Sequence, residues 1–256
     1  MITKDQINVF AHRFKTNEST VYREYLQVLF LNKLYKNEKS AQVFFKGGTA
    51  IHFLFNAPRF SEDLDFTVSL SESEFSTLIN FVFKEFVKEG EFTFKEIKTI
   101  TGKRFLLTAN RDVLPYATFI NLDFSFREKV IEPNKSTFDT TYPVIFTSFI
   151  YHLSREEMCA EKIRALLTRE KGRDLFDLWY LVSQGTKINI KIVKEKLKYY
   201  QKKEFTNNEL INRVKQFSEK EFEIDIRPFI PMDERSKLKE RFEYIQTYLI
   251  EKLSAF

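Results

Sequence analysis

Between residues 116 and 126 the side chains alternate strictly, with Ile120, Leu122, Phe124 and Phe126 on one face and Asn121, Asp123 and Ser125 on the other. A period of two belongs to an extended strand buried on one side, because successive side chains point to opposite faces. Such a strand has to pair with others, so the chain must build a sheet. Upstream, residues 42–46 form a short run rich in Val and Phe, Gly47-Gly48 breaks it, and residues 49–55 look helical. That is strand, tight turn, helix. Residues 63–68 alternate polar and apolar again, residues 72–89 return to helical spacing, and two more β segments are expected between 91 and 107. Ahead of these, residues 5–36 read as two helices. The second is announced by Asn17-Glu18-Ser19-Thr20 and carries Val21, Tyr25, Val28, Leu29 and Leu31 as one stripe.

Beyond a polar loop at 128–140 the period changes. Ser154 followed by Glu157 has the form of a capping box and opens a helix to about Arg169. Gly172 ends or interrupts it, and a second helix over 173–184 is stopped by Gly185. Further helices are expected over 189–203, 207–220 and 233–253, with 222–231, which holds two prolines, read as extended. The chain is therefore expected to be α+β: a mixed sheet with flanking helices in residues 1–142, then a helical domain in residues 143–256.

Hydrophobic residues make up 43% of the chain, 29 of its 256 residues are Phe, and global disorder is excluded. The longest stretch without a charge or turn signal, 143–151, is far short of the roughly 20 residues that span a bilayer. Met1-Ile2-Thr3-Lys4-Asp5-Gln6 lacks the apolar run of a secretory leader, so a cytoplasmic, membrane-free protein is expected. A single Cys159 permits no internal disulfide, and His12, His52 and His152 have no zinc-ligand spacing. Cys159 and His52 are read as packing residues.

The chemistry concentrates in Lys46-Gly47-Gly48-Thr49-Ala50 and Arg59-Phe60-Ser61-Glu62-Asp63-Leu64-Asp65-Phe66. Asp63 and Asp65, two apart on a strand, project from one face, where like charges repel unless a cation lies between them. A divalent metal is the usual answer. Asp123 repeats the arrangement on another strand. If the two strands are neighbours, three carboxylates converge on a site for two magnesium ions about 3.5–4 Å apart, which suits phosphoryl or nucleotidyl transfer. Gly47 and Gly48 let the backbone turn so that N–H groups at a helix N-terminus meet a phosphate. A Gly-Gly turn alone is often a plain connection, and an Asp-x-Asp strand alone is often a solvated edge. Together with Asp123 they point to one metal–triphosphate complex.

These two segments together resemble the first motif of the AbiEii/AbiGii nucleotidyltransferase toxins of bacterial toxin–antitoxin and abortive-infection (phage-defence) systems. Glu161-Lys162-Ile163-Arg164-Ala165-Leu166, then Arg169 and Arg173-Asp174-Leu175-Phe176-Asp177-Leu178, resemble the second. The resemblance covers about residues 46–181. It implies a polymerase-β-like nucleotidyltransferase core, a helical C-terminal domain that completes the active site, magnesium, a nucleoside triphosphate and a cognate antitoxin. Some relatives add nucleotides to tRNA acceptor ends and so stop translation. On this reading Asp63, Asp65 and Asp123 hold metal. Lys46, Gly47, Gly48, Thr49, Arg59, Ser61 and Lys162 bind nucleotide, and Asp177 joins the catalytic set.

The residues themselves leave alternatives open. Lys162 can offset charge as pyrophosphate leaves. Asp177 can orient Lys162, accept a proton from the attacking hydroxyl, or do neither. Arg173, Asp174 and Asp177 can equally form a salt-bridge network joining two helices. Arg59 can contact phosphate or neutralise the carboxylates, and Ser61 can bind phosphate or cap its turn.

The formal net charge is +5, and residues 183–220 hold ten Lys or Arg against four Asp or Glu. In the helix from 189, an apolar stripe of Ile190, Val193, Leu197 and Tyr200 leaves Lys191, Lys194, Lys198 and Lys202 to other faces. Such a surface attracts phosphate backbones, and Tyr199 and Tyr200 can stack an unpaired base, although solvated lysine faces are common. The expectation is a magnesium-dependent toxin that transfers a nucleoside monophosphate to an RNA 3′ end, a tRNA acceptor. Its competitors are nucleotidylation of a protein hydroxyl and a non-catalytic nucleotide- or RNA-binding module.

Overall fold

A computed structural model describes residues 1–111, 113–200 and 205–255. The chain forms two compact units, the first made of Met1–Asn56 with Phe60–Leu153, the second of Ser154–Phe256 with Ala57–Arg59.

The first unit contains α1 (Lys4–Phe14), α2 (Glu18–Tyr35), β1 (Val43–Lys46), α3 (Gly47–Phe55), β2 (Leu64–Val68), α4 (Glu72–Phe86), β3 (Phe92–Ile97), β4 (Lys103–Ala109), β5 (Thr118–Ser125), β6 (Pro133–Ser136) and β7 (Ile150–Leu153). Among the described residues seven strands make one mixed sheet in the order β3-β4-β5-β2-β1-β7-β6. β2 runs parallel to β5 and β1 parallel to β7, while the other pairs are antiparallel. Helix α2 starts where the Asn17 side chain accepts from the Thr20 N–H at 2.8 Å, and it is apolar on most sides because it is buried over most of its length. Helix α4 starts with a complete capping box between Ser71 and Glu74.

Phenylalanines fill the space under the sheet. Phe66 on β2 and Phe124 on β5 stack at 4.8 Å with planes 9° apart, Phe75 of α4 meets Phe124 at 4.7 Å, and Phe45 of β1 meets Phe66 at 5.5 Å. Offset and tilted contacts of this kind add to the burial of large apolar rings.

The second unit is helical: α5 (Arg155–Thr168), α6 (Gly172–Ser183), α7 (Ile190–Lys198), α8 (Asn207–Gln216), α9 (Glu219–Ile226) and α10 (Leu238–Ser254). Ser154, Asn189, Thr206 and Ser218 cap the first turns of α5, α7, α8 and α9. Gly172 opens α6 rather than closing α5. Its N–H donates to Asp225 Oδ2 at 2.7 Å, and a Cβ there would stand 3.0 Å from the Phe222 backbone. A side chain there would press α9 away by a few tenths of an ångström.

Several boundaries differ from the sequence reading. The stretch 222–231 is mainly helical, because Ser218 and Glu221 form a capping box and Phe222 and Ile226, four apart, are buried together. Pro228 sits at the start of a 3₁₀ turn, where its missing N–H costs nothing. The helix from Asn207 accordingly ends at Gln216, and part of the polar loop is the edge strand β6. The seam between units lies after Leu153, downstream of the expected boundary before Pro143, because β7 pairs with β1 and β6 and so belongs to the sheet. At the box expected at Ser154, the hydroxyl accepts from the Glu157 N–H at 3.0 Å, and the Glu157 carboxylate binds Lys196 at 2.6 Å. No helix of the described residues is long and apolar enough to cross a membrane.

Phe66 is fully buried, touching rings from α2, β1 and β5. Phe66→Ala is expected to cost about 3–5 kcal/mol, read as a lower urea midpoint.

Candidate active site

The parallel register of β2 and β5 sets Asp65 opposite Asp123, Leu64 opposite Leu122 and Phe66 opposite Phe124. Since faces alternate, the leucines and phenylalanines go into the core and the two aspartates share the polar face. Asp63 lies one residue ahead of β2 rather than in it. Its Oδ1 accepts from Asn121 Nδ2 at 2.9 Å, and Asn121 stands two residues before Asp123 on the same face of β5. The strand adjacency expected from alternation is therefore present: it sets Asp65 beside Asp123, and the Asn121 bond ties Asp63 to the same strand.

Arg104 of β4 stands directly opposite Asp123 and donates Nε–H to Asp123 Oδ1 at 2.5 Å. Burial pushes the Asp123 carboxyl up, the Arg104 hydrogen bond and charge oppose this, and Asp63 adds to the rise, so the net direction is upward. The guanidinium of Arg104 is likewise raised, first by its hydrogen bond to Asp123, against burial, with Asp63 and Asp65 contributing through their charge. Among the described residues no three His, Cys, Asp or Glu side chains close into a metal cage. Carboxylate oxygens are nonetheless the donors a hard divalent cation takes, and Asp65 and Asp123 offer them from one face, with Asp63 tied to β5 through Asn121.

The turn between β1 and α3 borders these acids. Lys46 is opposite Asp65 across the sheet, and Gly47 has φ +81°, a conformation that costs an L side chain about 1–2 kcal/mol. A Cβ at Gly47 would lie 2.3 Å from Asp65 Oδ2. Glycine is thus required twice, by the backbone and by the carboxylate against it. Gly48 and Thr49 are buried in the first turn of α3, whose N-terminus no side chain caps, an arrangement suited to an anion.

Other expected nucleotide contacts are engaged within the protein. The Thr49 hydroxyl donates to the Asp63 carbonyl and so ties α3 to the start of β2. The Lys46 ammonium pairs with buried Glu128 at 2.9 Å, and the Ser61 carbonyl accepts from Gln27 Nε2 at 3.1 Å.

In the helical unit, the second motif forms a buried charge network. Arg59 pairs with a carboxylate that the sequence reading did not assign to it. Its guanidinium forks the Asp177 carboxylate, Nε to Oδ1 at 2.6 Å and Nη2 to Oδ2 at 2.5 Å, and the residue is 2% exposed. Lys162 of α5 reaches Asp177 at 2.7 Å and Asp174 at 2.8 Å, and Arg169, at the end of α5, holds Asp174 at 2.8 and 3.1 Å. Asp174 and Asp177, three apart on α6, present neighbouring carboxylates to these cations. Burial works to raise both carboxyls, yet the charges beside them prevail: Lys162 and Arg169 lower Asp174, while Arg59 and Lys162 lower Asp177. Burial likewise disfavours the Lys162 charge, and Asp174 and Asp177 outweigh it, so its pKa is raised. Asp177 is thus held as a carboxylate that orients Lys162 and Arg59. Three cations and two anions leave these five side chains with one net positive charge.

The remaining candidates divide plainly. Cys159 is buried and its thiol is pushed up to about 12 by burial, which makes it an inert packing residue. His52 Nε2 meets Glu24 Oε1 at 2.6 Å, and Tyr142 donates to the other oxygen of Glu24 at 2.7 Å, a local network of the first unit. On α7, Lys191, Lys194 and Lys198 are exposed, with Lys198 paired to Glu195 at 2.5 Å. Lys202 lies outside the described residues. The same helix buries Lys196 completely against Glu157 and Glu161, at 2.6 and 3.1 Å.

Sequence reasoning missed Arg104, Glu128 and the fork from Arg59 to Asp177. Arg104 carried a faint signal, as a polar residue beside the apolar alternation Phe105, Leu107 and Ala109. Its partner depends on register.

Comparison with known proteins defines the class first. MenT4, a nucleotidyltransferase toxin from Mycobacterium tuberculosis H37Rv, matches at 18% identity with a TM-score of 0.65, over 98% of this chain and 94% of its own. JHP933 from Helicobacter pylori matches at 19% identity with a TM-score of 0.56, over 93% and 95%. The fold is that of the nucleotidyltransferases. No curated protein matches the chain. The model of the family described as "Nucleotidyl transferase AbiEii toxin, Type IV TA system" matches residues 29–248, and the chain belongs to that family of nucleotidyltransferase toxins.

The charge network yields a pH expectation. Asp174 and Asp177 are depressed when folded, so their contribution is complete above the unfolded carboxylate value of about 3.9 and is lost as pH falls towards the lower folded values. Lys162 is raised when folded, so its contribution holds below about 10.4 and is lost as pH rises through the higher folded value. Between these limits the network is neutral in its effect on a stability–pH curve. Asp177→Asn, which leaves Lys162 and Arg59 buried with a partner lost, is expected to cost about 3–5 kcal/mol in denaturant unfolding at pH 7.

Proposed function

We propose that this toxin transfers a nucleoside monophosphate from a nucleoside triphosphate to the 3′ end of an RNA, in a magnesium-dependent reaction, and that the RNA is tRNA. The observation that carries the reading is the in-register pair Asp65 and Asp123 with Asp63 beside them, bordered by the Gly47 turn. Asp63, Asp65 and Asp123 would hold the magnesium, which when bound neutralises phosphate charge and favours the ionised acceptor hydroxyl. The α3 amides at Gly47, Gly48 and Thr49 are the anion-facing groups assigned to the triphosphate.

Lys46 and Arg59 then serve that nucleotide indirectly, Lys46 through the Glu128 pair at the β1–α3 turn and Arg59 through Asp177. We assign Lys162 to the charge that builds on departing pyrophosphate. Asp177 is its positioning residue rather than a proton acceptor, since a carboxylate lowered by two adjacent cations is a poor base near neutrality. Ser61 is retained as a phosphate contact through its hydroxyl. Catalysis on this account comes from alignment and charge neutralisation.

The acceptor is inferred from charge and family. The chain carries a net +5, and exposed Lys191, Lys194 and Lys198 line one helix, a surface that attracts a phosphate backbone. Blocking tRNA charging in the cytoplasm would account for toxicity, and membership of a type IV toxin–antitoxin family implies a cognate antitoxin.

The test is to incubate the wild type, Asp63→Ala and Gly47→Ala with total tRNA, magnesium and each α-labelled nucleoside triphosphate, and to separate RNA from protein on a denaturing gel. Label is expected on tRNA with the wild type, falling roughly a hundredfold or more with Asp63→Ala while circular dichroism is unchanged. Gly47→Ala should lose transfer as well, because its Cβ displaces the Asp65 carboxylate. Full-rate transfer by folded Asp63→Ala refutes the mechanism. Label on protein alone redirects the activity to a protein hydroxyl, and nucleotide binding without label on any acceptor favours a binding module.

A further inference from the structure

The carboxylate face carries one cation that the scheme above leaves without a task. Arg104 stands opposite Asp123 in the β4–β5 register, donates to its Oδ1 at 2.5 Å and feels the charges of Asp63 and Asp65 as well. Yet its side chain is 44% exposed, unlike the buried forks that brace the helical unit. An exposed ion pair is worth about 0–1 kcal/mol, so this guanidinium is held by charge and is able to leave. A divalent cation seated on Asp63, Asp65 and Asp123 would meet the guanidinium at close range, and two positive charges there repel. The two cations compete for one set of oxygens.

We propose that Arg104 is the exchangeable counter-ion of the three-carboxylate face, setting the divalent-cation concentration at which the face is loaded. The inference rests on the reading of Asp63, Asp65 and Asp123 as metal-holding residues. It gives the toxin a threshold: three carboxylates without a counter-ion would scavenge free cations, whereas an arginine among them makes loading depend on a cation strong enough, or delivered with enough negative charge, to displace it.

The test uses Mn²⁺ alone as probe, titrated into the wild type, Arg104→Met and Arg104→Lys at constant ionic strength, with bound metal read from the loss of the free Mn²⁺ electron paramagnetic resonance signal. Arg104→Met is expected to bind Mn²⁺ about three- to tenfold more tightly than the wild type, and Arg104→Lys, which keeps the charge, to stay close to it. A merely structural brace predicts the opposite direction, since its removal would let Asp123 wander and weaken binding. Should Arg104→Met fail to fold by circular dichroism, Arg104→Gln removes the charge while keeping hydrogen-bond donors, and the same tightening is expected. Unchanged or weaker Mn²⁺ binding by a folded, uncharged variant overturns the proposal while leaving the metal reading intact. No Mn²⁺ bound by the wild type or by the folded, uncharged variants overturns both.

Discussion

Everything at the candidate site depends on the register between β2 and β5. A slip of β2 by one residue would turn Asp65 into the core and Leu64 and Phe66 into water, away from Leu122 and Phe124. Each of those apolar side chains contributes about 1.5–3 kcal/mol on burial. The repulsion between two half-buried carboxylates is smaller than that sum, so the apolar face decides the register and the acids come together as its consequence. The stacked rings of Phe66 and Phe124 and the paired carboxylates are two faces of the same alignment.

The helical unit solves a different problem. Its second motif buries charges whose desolvation is expensive, and only close, multiply hydrogen-bonded partners offset that cost. Asp177, fully buried, receives a fork from Arg59 and a bond from Lys162, and Asp174 receives Lys162 and Arg169. Such a network contributes modestly to net stability, but it allows few alternative arrangements, because each carboxylate shares a cation with the other or holds one of its own. The orientation of Lys162 is the product.

Much of this was legible along the chain. Alternation located β2 and β5, helical period and caps located most helices, and Gly47 declared a turn whose necessity the structure explains by its φ and by the Asp65 oxygen against it. The failures were local signals overruled by context. Two prolines suggested an extended segment at 222–231, while the Ser218 cap and the buried pair Phe222 and Ile226 made most of it helix. The polar run 128–140 gave no hint of β6, whose short exposed strand exists because β7 lies beside it. The sequence offered Arg59 a phosphate or the nearby acids, and gave no sign of the carboxylate 118 residues away with which it pairs.

By itself, then, the sequence determined the periodicities, the caps, the glycine turn and the two motifs that mark the family, because each depends on residues within a few positions of one another. The tertiary structure alone decided which charge meets which: Arg104 with Asp123, Lys46 with Glu128, Arg59 with Asp177. The physical reason is that an ion pair forms wherever the chain path and strand register bring opposite charges within hydrogen-bonding distance. With 41 basic and 36 acidic side chains available, local pattern does not say which pairs those will be.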